Sequence, residues 1–325
     1  MTQGLRISDA VLSVILNQPK GSNLVWASRG CIGPKRTRSA NAGFWKDVVT
    51  QRLDRVTRVW REGQNLAALA SARSLNGPKA WEIDRLYLAD WDEGVIGDLG
   101  VGQAGRPDKQ DDMVYQLLDD LVQASLDKGA ERVILRCPTG SAVIGAARRT
   151  GFFPYLNETL LEGHSDQGVI DSPESYPEAV GGVRERLPQD THALFQLYSA
   201  ATPQQVRVGL GFTLDHWRDC QGPQSARQWV LTHQDRIYAW AAVWPRTGAS
   251  EAEILVHPDW PEALPVLMDI VLTPPGPLLW RVPEHQETVR RRLLLRGFQE
   301  TAEFAVLVKT VAARKYSHAI AAVEA

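Results

Sequence analysis

The feature that most constrains this chain is an internal echo. Val133-Ile134-Leu135-Arg136-Cys137-Pro138 is followed by Gly151-Phe152 and then Glu158. Leu278-Leu279-Trp280-Arg281-Val282-Pro283 is followed by Gly297-Phe298 and then Glu303. Arg136 precedes Phe152 by sixteen positions, and Arg281 precedes Phe298 by seventeen. Upstream, Ala89-Asp90-Trp91 matches Pro258-Asp259-Trp260. Matches kept in order over such a distance predict a tandem duplication of one fold. Between the copies, residues 163–182 are rich in Gly, Ser and Pro and cannot bury apolar surface, which predicts a linker. The expected division is a first domain over 1–162, the linker 163–182, a second domain over 183–311 and a C-terminal tail 312–325. A length of 325 residues suits two domains at about 150 residues each.

Each copy shows the same order of elements. In the first half Asp9 opens a helix-like segment. Strands are predicted over 55–61, 66–74 and 81–88, separated by Glu62-Gly63-Gln64-Asn65 and Asn76-Gly77-Pro78. Leu117, Leu118, Leu121, Val122 and Leu126 recur at helical spacing, and Gly129 stops that helix. A strand at 133–135, a helix at 142–149 ended by Gly151, and a strand at 155–161 follow. In the second half Asp190 is the expected N-cap of a helix through Leu194, Leu197 and Tyr198. Strands over 228–232, 237–244 and 252–257, a helix over 263–272, a strand over 278–282, a helix over 288–295 and a strand over 303–309 complete it. Hairpin strands followed by crossover helices predict an α+β fold with a mixed sheet in each copy.

Composition narrows the function classes. Hydrophobic residues make up 44% and charged residues 23%, as in a globular protein. The net charge of -2 provides no global field for nucleic acid or an acidic membrane. No run reaches the roughly 18 apolar residues of a membrane helix. Cys31, Cys137 and Cys220 lie far apart and form neither a zinc spacing nor a disulfide framework, so no metal and a cytoplasmic location are expected.

The strand order, with a strand, a helix and Gly-Phe in each copy, resembles the GNAT acyltransferase superfamily. In that family the last helix commonly ends in a pattern like Ala-x-x-x-Tyr-x-x-x-Gly-Phe. Ala146 to Phe152 and Arg291 to Phe298 sit in that place. The resemblance covers nearly the whole chain, once per half. It implies a V-shaped opening between the fourth and fifth strands of each copy, with acetyl-CoA or another acyl-CoA as co-substrate and an amine as acceptor. Along that opening it implies contacts to Leu86, Tyr87 and Leu88 of the third predicted strand and to Lys109 at the start of the central helix.

The family's signature before that helix is Arg/Gln-x-x-Gly-x-Gly/Ala, because bare backbone N–H groups must approach a pyrophosphate at a helix N-terminus. In the first half the corresponding stretch is Lys109-Gln110-Asp111-Asp112-Met113-Val114, with Asp112 and Val114 at the glycine positions. A carboxylate about 5 Å from a phosphate costs about 3 kcal/mol at an effective dielectric of about 20. The helix dipole returns only about 0.3–1 kcal/mol. Weak or absent acetyl-CoA binding by the first half is therefore expected. Gly97-Asp98-Leu99-Gly100-Val101-Gly102 has the glycine spacing about ten residues earlier, so Gly100 and Gly102 are candidate donors, or else part of a flexible Gly-rich excursion. In the second half, Trp260-Pro261-Glu262-Ala263-Leu264-Pro265 has no glycine.

The family's tyrosine proton donor is replaced by Ala147 and Leu293. Glu82, with Asp84 on the same strand, and Glu253 in the second half are candidate general bases, or else polar residues on a solvated face. The reading is N-acyl transfer from acyl-CoA. Its rival is a non-catalytic relative of the acetyltransferases that binds a protein or a small ligand.

Other clusters are weaker. His164-Ser165-Asp166 has triad residue types, but triads converge from separate elements. Cys137 is expected to be a buried structural thiol. Basic residues between Gly30 and Arg61, and Arg290, Arg291, Arg292 and Arg296, are candidate phosphate contacts or solvated helix faces. Trp91 and Trp260 stand at matched positions near the cofactor edge.

Overall fold

The computed structural model describes residues 2–4, 24–25, 54–62, 65–88, 109–164, 182–211, 213–221, 226–245, 248–273 and 276–310. The first half contains β1 (Thr2–Gly4), β2 (Arg55–Glu62), β3 (Asn65–Ser74), β4 (Ala80–Leu88), α1 (Lys109–Leu126), β5 (Arg132–Pro138), α2 (Val143–Arg149) and β6 (Phe153–His164). The second contains β7 (Gly182–Glu185), α3 (Thr191–Ala201), α4 (Gln204–Leu210), α5 (Leu214–Cys220), β8 (Arg227–His233), β9 (Arg236–Trp244), β10 (Ser250–Val256), α6 (Ala263–Leu272), β11 (Pro277–Pro283), α7 (Glu287–Leu295) and β12 (Gln299–Thr310). Among the described residues the predicted elements are present, with α4, α5, β1 and β7 added. The Asp9 segment, Trp91 and Gly97 to Gly102 lie outside the described residues, as do Cys31, most of the Gly30–Arg61 basic stretch, and linker residues 165–181. Gly163 and His164 end β6, and Gly182 begins β7.

The twelve strands form one sheet in the order β1-β2-β3-β4-β5-β12-β6-β11-β10-β9-β8-β7. Among the described strands only β4·β5 and β10·β11 are parallel. The last strands are exchanged between halves. β5 pairs with β12, whereas β6 lies between β12 and β11. The registers obey the duplication: Arg136 is opposite Val306, and Arg281 is opposite Leu160. Glu158 and Phe304 are opposite each other on β6 and β12, so a local two-fold relation passes between them, and the counterpart of Glu158 is Phe304, not Glu303 as the sequence echo suggests.

Both crossover helices end in the same way. Gly151 (φ +87°) and Gly297 (φ +83°) take the left-handed conformation that favours glycine. Phe152 N then donates to Ala147 O (3.0 Å), and Phe298 N donates to Leu293 O (3.1 Å). Both phenylalanines are buried. α1 sets Val114, Leu117, Leu118, Leu121 and Val122 into the core of the first half, at the spacing the sequence predicts.

Paired residues in a ladder point to the same face of the sheet. Val133, Leu135 and Cys137 pack with α1 and α2, while Leu278, Trp280 and Val282 pack with α6 and α7. These four helices therefore share one face. The opposite face carries α3, α4 and α5, which bridge the halves. α3 and α5 pack on β8 and β9 through Leu194, Leu197, Trp217 and Trp240. α4 lies on β6 and β12, with Gly209 against the Tyr155 ring, where a Cβ would come within 2.6 Å. Arg132 of the first half donates to the α4 carbonyls of Val208 (2.8 Å) and Gly209 (2.9 Å). His216 of α5 meets Glu131 at 2.8 Å.

Asp190 departs from its expected role. Its carboxylate does not cap α3. It accepts from both terminal guanidinium nitrogens of Arg184 and from Leu187 N.

Candidate functional site

The two parallel pairs are short. β4 and β5 pair at 80–83 with 132–135, and β10 and β11 pair at 250–252 with 278–280. Beyond those registers β4 runs on to Leu88 and β10 to Val256, so each copy has a fork. The β3·β4 register skips Asp84, which makes it an extra residue, a β-bulge at the mouth of the first fork. Arg55 fixes Asp84 at 2.8 Å. The β9·β10 register runs without interruption from Glu251 to Val256, so the second fork has no bulge.

Buried charges meet where the forks converge. Arg136 contacts Glu158 at 2.7 Å and Glu82 at 3.1 Å. Arg281 pairs with Glu251 and reaches Glu158 at 3.9 Å. Arg73 adds a second cation to Glu82 at 3.4 Å. Burial raises the Glu158 pKa, but Arg136 and Arg281 outweigh it and hold the carboxyl below its usual range. Burial likewise lowers the Arg136 pKa, but Glu158 and Glu82 raise it more, so the group stays charged. The register also revises the sequence comparison. Glu82 lies opposite Ile134, and Glu251 lies opposite Leu279 in the second copy, so Glu251 and not Glu253 is the counterpart of Glu82.

A cavity of about 150 Å³ lies between this cluster and α3, α4 and α5. Glu82, Arg136, Glu158, Glu251, Glu253 and Arg281 line its sheet side, and Leu194, Tyr198, Val206, Trp217 and Trp240 contribute apolar wall. Tyr198 Oη and His285 Nδ1 are buried without a hydrogen-bond partner. Burial keeps the His285 pKa below the usual histidine value, although Glu284 and Glu158 oppose that shift. Burial raises the Tyr198 pKa, so its hydroxyl keeps its proton.

The candidates named from sequence fall in different places. Glu82 is buried between the Arg73 and Arg136 guanidinium groups. Glu253 is half-buried on the cavity wall. Leu86 and Leu88 are buried in the first-half core, and Tyr87 is half-buried. Leu24 N donates to Leu86 O (3.0 Å), and Leu24 and Val25 are buried in the same core. β4 is thus already engaged at Leu86 by the chain itself. Lys109 opens α1, which starts earlier than the glycine-loop comparison assumed. Val114 is therefore a buried core residue inside the helix and not a phosphate-facing one. Asp112 turns to Arg149 of α2 (2.7 Å), which offsets its charge.

The second fork has a different edge. Ala263 N donates to Trp260 O (3.2 Å), Leu264 N donates to Pro261 O (3.1 Å), and Pro265 has no N–H. The first three residues of α6 thus offer no free donor. Trp260 packs on Tyr238 and His233, with ring centroids 4.5 and 4.6 Å away. Cys137 is buried, and its thiol is pushed up to about 12 by burial, which suits a structural cysteine. Arg290 is paired with Glu300 and Glu287, and Arg296 with Asp269. Sequence reasoning missed His285, Tyr198 and Glu251 as wall residues. Among the described residues no group of His, Cys, Asp or Glu is placed to hold a metal ion. Among them, no helix is long and apolar enough to cross a membrane.

Strand order, forks and crossover helices define the GNAT acetyltransferase fold, with a mixed sheet and two forks in one chain. A GCN5-related N-acetyltransferase from Sphaerobacter thermophilus has a similar structure, with 15% identity, 95% of each chain covered and a TM-score of 0.53. A GCN5-related N-acetyltransferase from Kribbella flavida shows 12% identity over 95% of this chain and 70% of its own, with a TM-score of 0.43. A tandem GNAT protein from the clavulanic acid biosynthesis pathway shows 10% identity over 79% of this chain and 82% of its own, with a TM-score of 0.46. No family model and no curated protein sequence matches the chain.

Proposed function

We propose that this chain transfers an acyl group from acyl-CoA to an amine, with the first fork as the acyl-CoA side and the central cavity as the acceptor side. The observation that carries the proposal is the β4–β5 fork: a bulge at its mouth, α1 on one face, and a charged cavity on the other. The proposed units are 1–162 and 183–311, joined by 163–182 and followed by the tail 312–325.

Acyl-CoA supplies the thioester carbon that the amine attacks; the C–N bond forms as the C–S bond breaks. The chain's own residues hold the reactants together and exclude water. Glu253 and the neutral His285 are the groups on the wall able to take the ammonium proton. Ala147 and Leu293 cannot protonate the departing thiolate, so the proton taken from the amine is the one passed on to it. Lys109, at the start of α1, is assigned to the phosphate side. The second half acts as a binding half, because α6 begins without free donors.

The rival reading, a non-catalytic ligand- or protein-binding module, draws on the Leu24–Leu86 bond at the first fork. A thiol-release assay with the full chain, acetyl-CoA and a panel of small amines separates the two. Amine-dependent release of free CoA supports transfer. No release, together with no CoA binding, favours the binding module.

A further inference from the structure

The cavity beneath α3, α4 and α5 has a definite chemistry. Its wall carries four carboxylates, Glu82, Glu158, Glu251 and Glu253, and two guanidinium groups, Arg136 and Arg281. Arg136 and Arg281, with Arg73 behind Glu82, pair with Glu82, Glu158 and Glu251, and Glu253 adds a fourth carboxylate in a low-dielectric setting, where charge selects strongly. Three aromatic rings, Tyr198, Trp217 and Trp240, stand on the helix side and the adjoining strand. Tyr198 and Trp217 lie with centroids 6.0 Å apart. Aromatic faces attract an ammonium group and also accept apolar surface.

Two polar atoms there await a partner. Tyr198 is only 8% exposed, yet its hydroxyl makes no hydrogen bond. His285 Nδ1 is likewise buried and unpartnered. Buried polar atoms without partners are costly, so a ligand that satisfies them gains accordingly. A neutral imidazole nitrogen and a phenolic oxygen both accept from an N–H donor. A cavity of about 150 Å³ accommodates a benzene-sized molecule. That volume leaves no room for a folded protein segment or a nucleotide.

We propose that this cavity binds one small organic cation, a primary ammonium on a compact apolar or aryl group of roughly benzene size. This deepens the acyl-transfer reading by naming its acceptor class, and rests on that reading only in calling the ligand an acceptor. The ammonium sits toward Glu253 and His285, and the apolar part sits among Tyr198, Trp217, Trp240 and Leu255.

Calorimetric titration of the full chain without acyl-CoA tests this, with benzylamine, benzyl alcohol and benzoate as probes. Benzylamine is expected to bind at least tenfold more tightly than benzyl alcohol, and benzoate not at all. Glu253→Gln is expected to weaken benzylamine binding at least fivefold. Leu255→Phe, which fills the cavity and leaves every carboxylate in place, is expected to abolish it and keeps the test independent of the charge change. Equal binding of the alcohol, binding of benzoate, binding of none of the three, or unchanged binding in Leu255→Phe would overturn the proposal. Acyl-CoA is absent from the titration. Failed acyl transfer therefore leaves the result standing, and a failed titration leaves CoA binding at the first fork untouched.

Discussion

Glu158 and Phe304 face each other across β6 and β12, and they occupy the same position in the two copies. The local two-fold relation runs between them, yet one is a carboxylate and the other an apolar ring. Two glutamates there would crowd like charge into a buried site. With Phe304 on one side, a single Glu158 serves both Arg136 and Arg281. The two copies are thus asymmetric at their centre: Arg136 finds Glu158 and Glu82 within its own half, whereas Arg281 of the second half reaches across to Glu158.

Removing Glu158 leaves two buried cations short of a partner. Glu158→Ala should destabilise the fold by about 3–5 kcal/mol in denaturant melts. The pH dependence follows from the lowered pKa. In the unfolded chain this carboxyl titrates near 4.5, and in the folded chain below that. Its contribution is therefore complete above 4.5 and is lost as pH falls through the lower folded value. Melts between pH 7 and pH 3 should show a steeper acid loss in wild type than in Glu158→Gln.

Phe298 ties the exchanged strands together. A Cβ on Gly163 of β6 would come within 2.6 Å of the Phe298 ring. Phe298→Ala and Phe152→Ala should each cost about 3–5 kcal/mol. Gly163→Ala should also destabilise, by about 1–3 kcal/mol, because the ring must move. Losses below about 1 kcal/mol for both phenylalanine variants would remove them as core anchors.

The exchange makes the halves inseparable. Residues 1–162 alone would leave β5 and β6 without β12, and β6 without β11. Open edges of that kind pair with other chains. The isolated segment should aggregate or dimerise when followed by size-exclusion chromatography with light scattering. A stable folded monomer would contradict the exchanged topology.

The exchange was hidden from sequence for a physical reason. β6 and β12 are copies of one another, so local pattern suits either strand to either slot. Only long-range pairing chooses between them. The Gly151-Phe152 and Gly297-Phe298 ends were legible, because a left-handed glycine followed by a buried ring is a local demand. The fork geometry was legible only through resemblance to a known fold. Glu251 was missed because its match to Glu82 follows from the parallel register, not from spacing. His285 and Tyr198 come from distant elements, and no spacing joins them. α4 and α5 are seven residues each, too short to show a sustained period.

The Leu24–Leu86 bond competes with any ligand that pairs with β4 at that point. Leu24→Pro removes the N–H donor. One hydrogen bond amounts to about 0.5–1.5 kcal/mol. Acetyl-CoA affinity should rise about two- to tenfold in this variant by that measure. An unchanged affinity would place the ligand elsewhere on the fork.

The central claim is that one acyl-CoA binds, at the first fork. Calorimetric titration of the full chain with acetyl-CoA, beside Lys109→Glu at the start of α1 and Glu262→Lys at the start of α6, tests it most directly. The account predicts one site per chain, an affinity weakened at least fivefold by Lys109→Glu, and a change of less than twofold in Glu262→Lys. No binding, two sites per chain, or sensitivity to Glu262→Lys alone would contradict it.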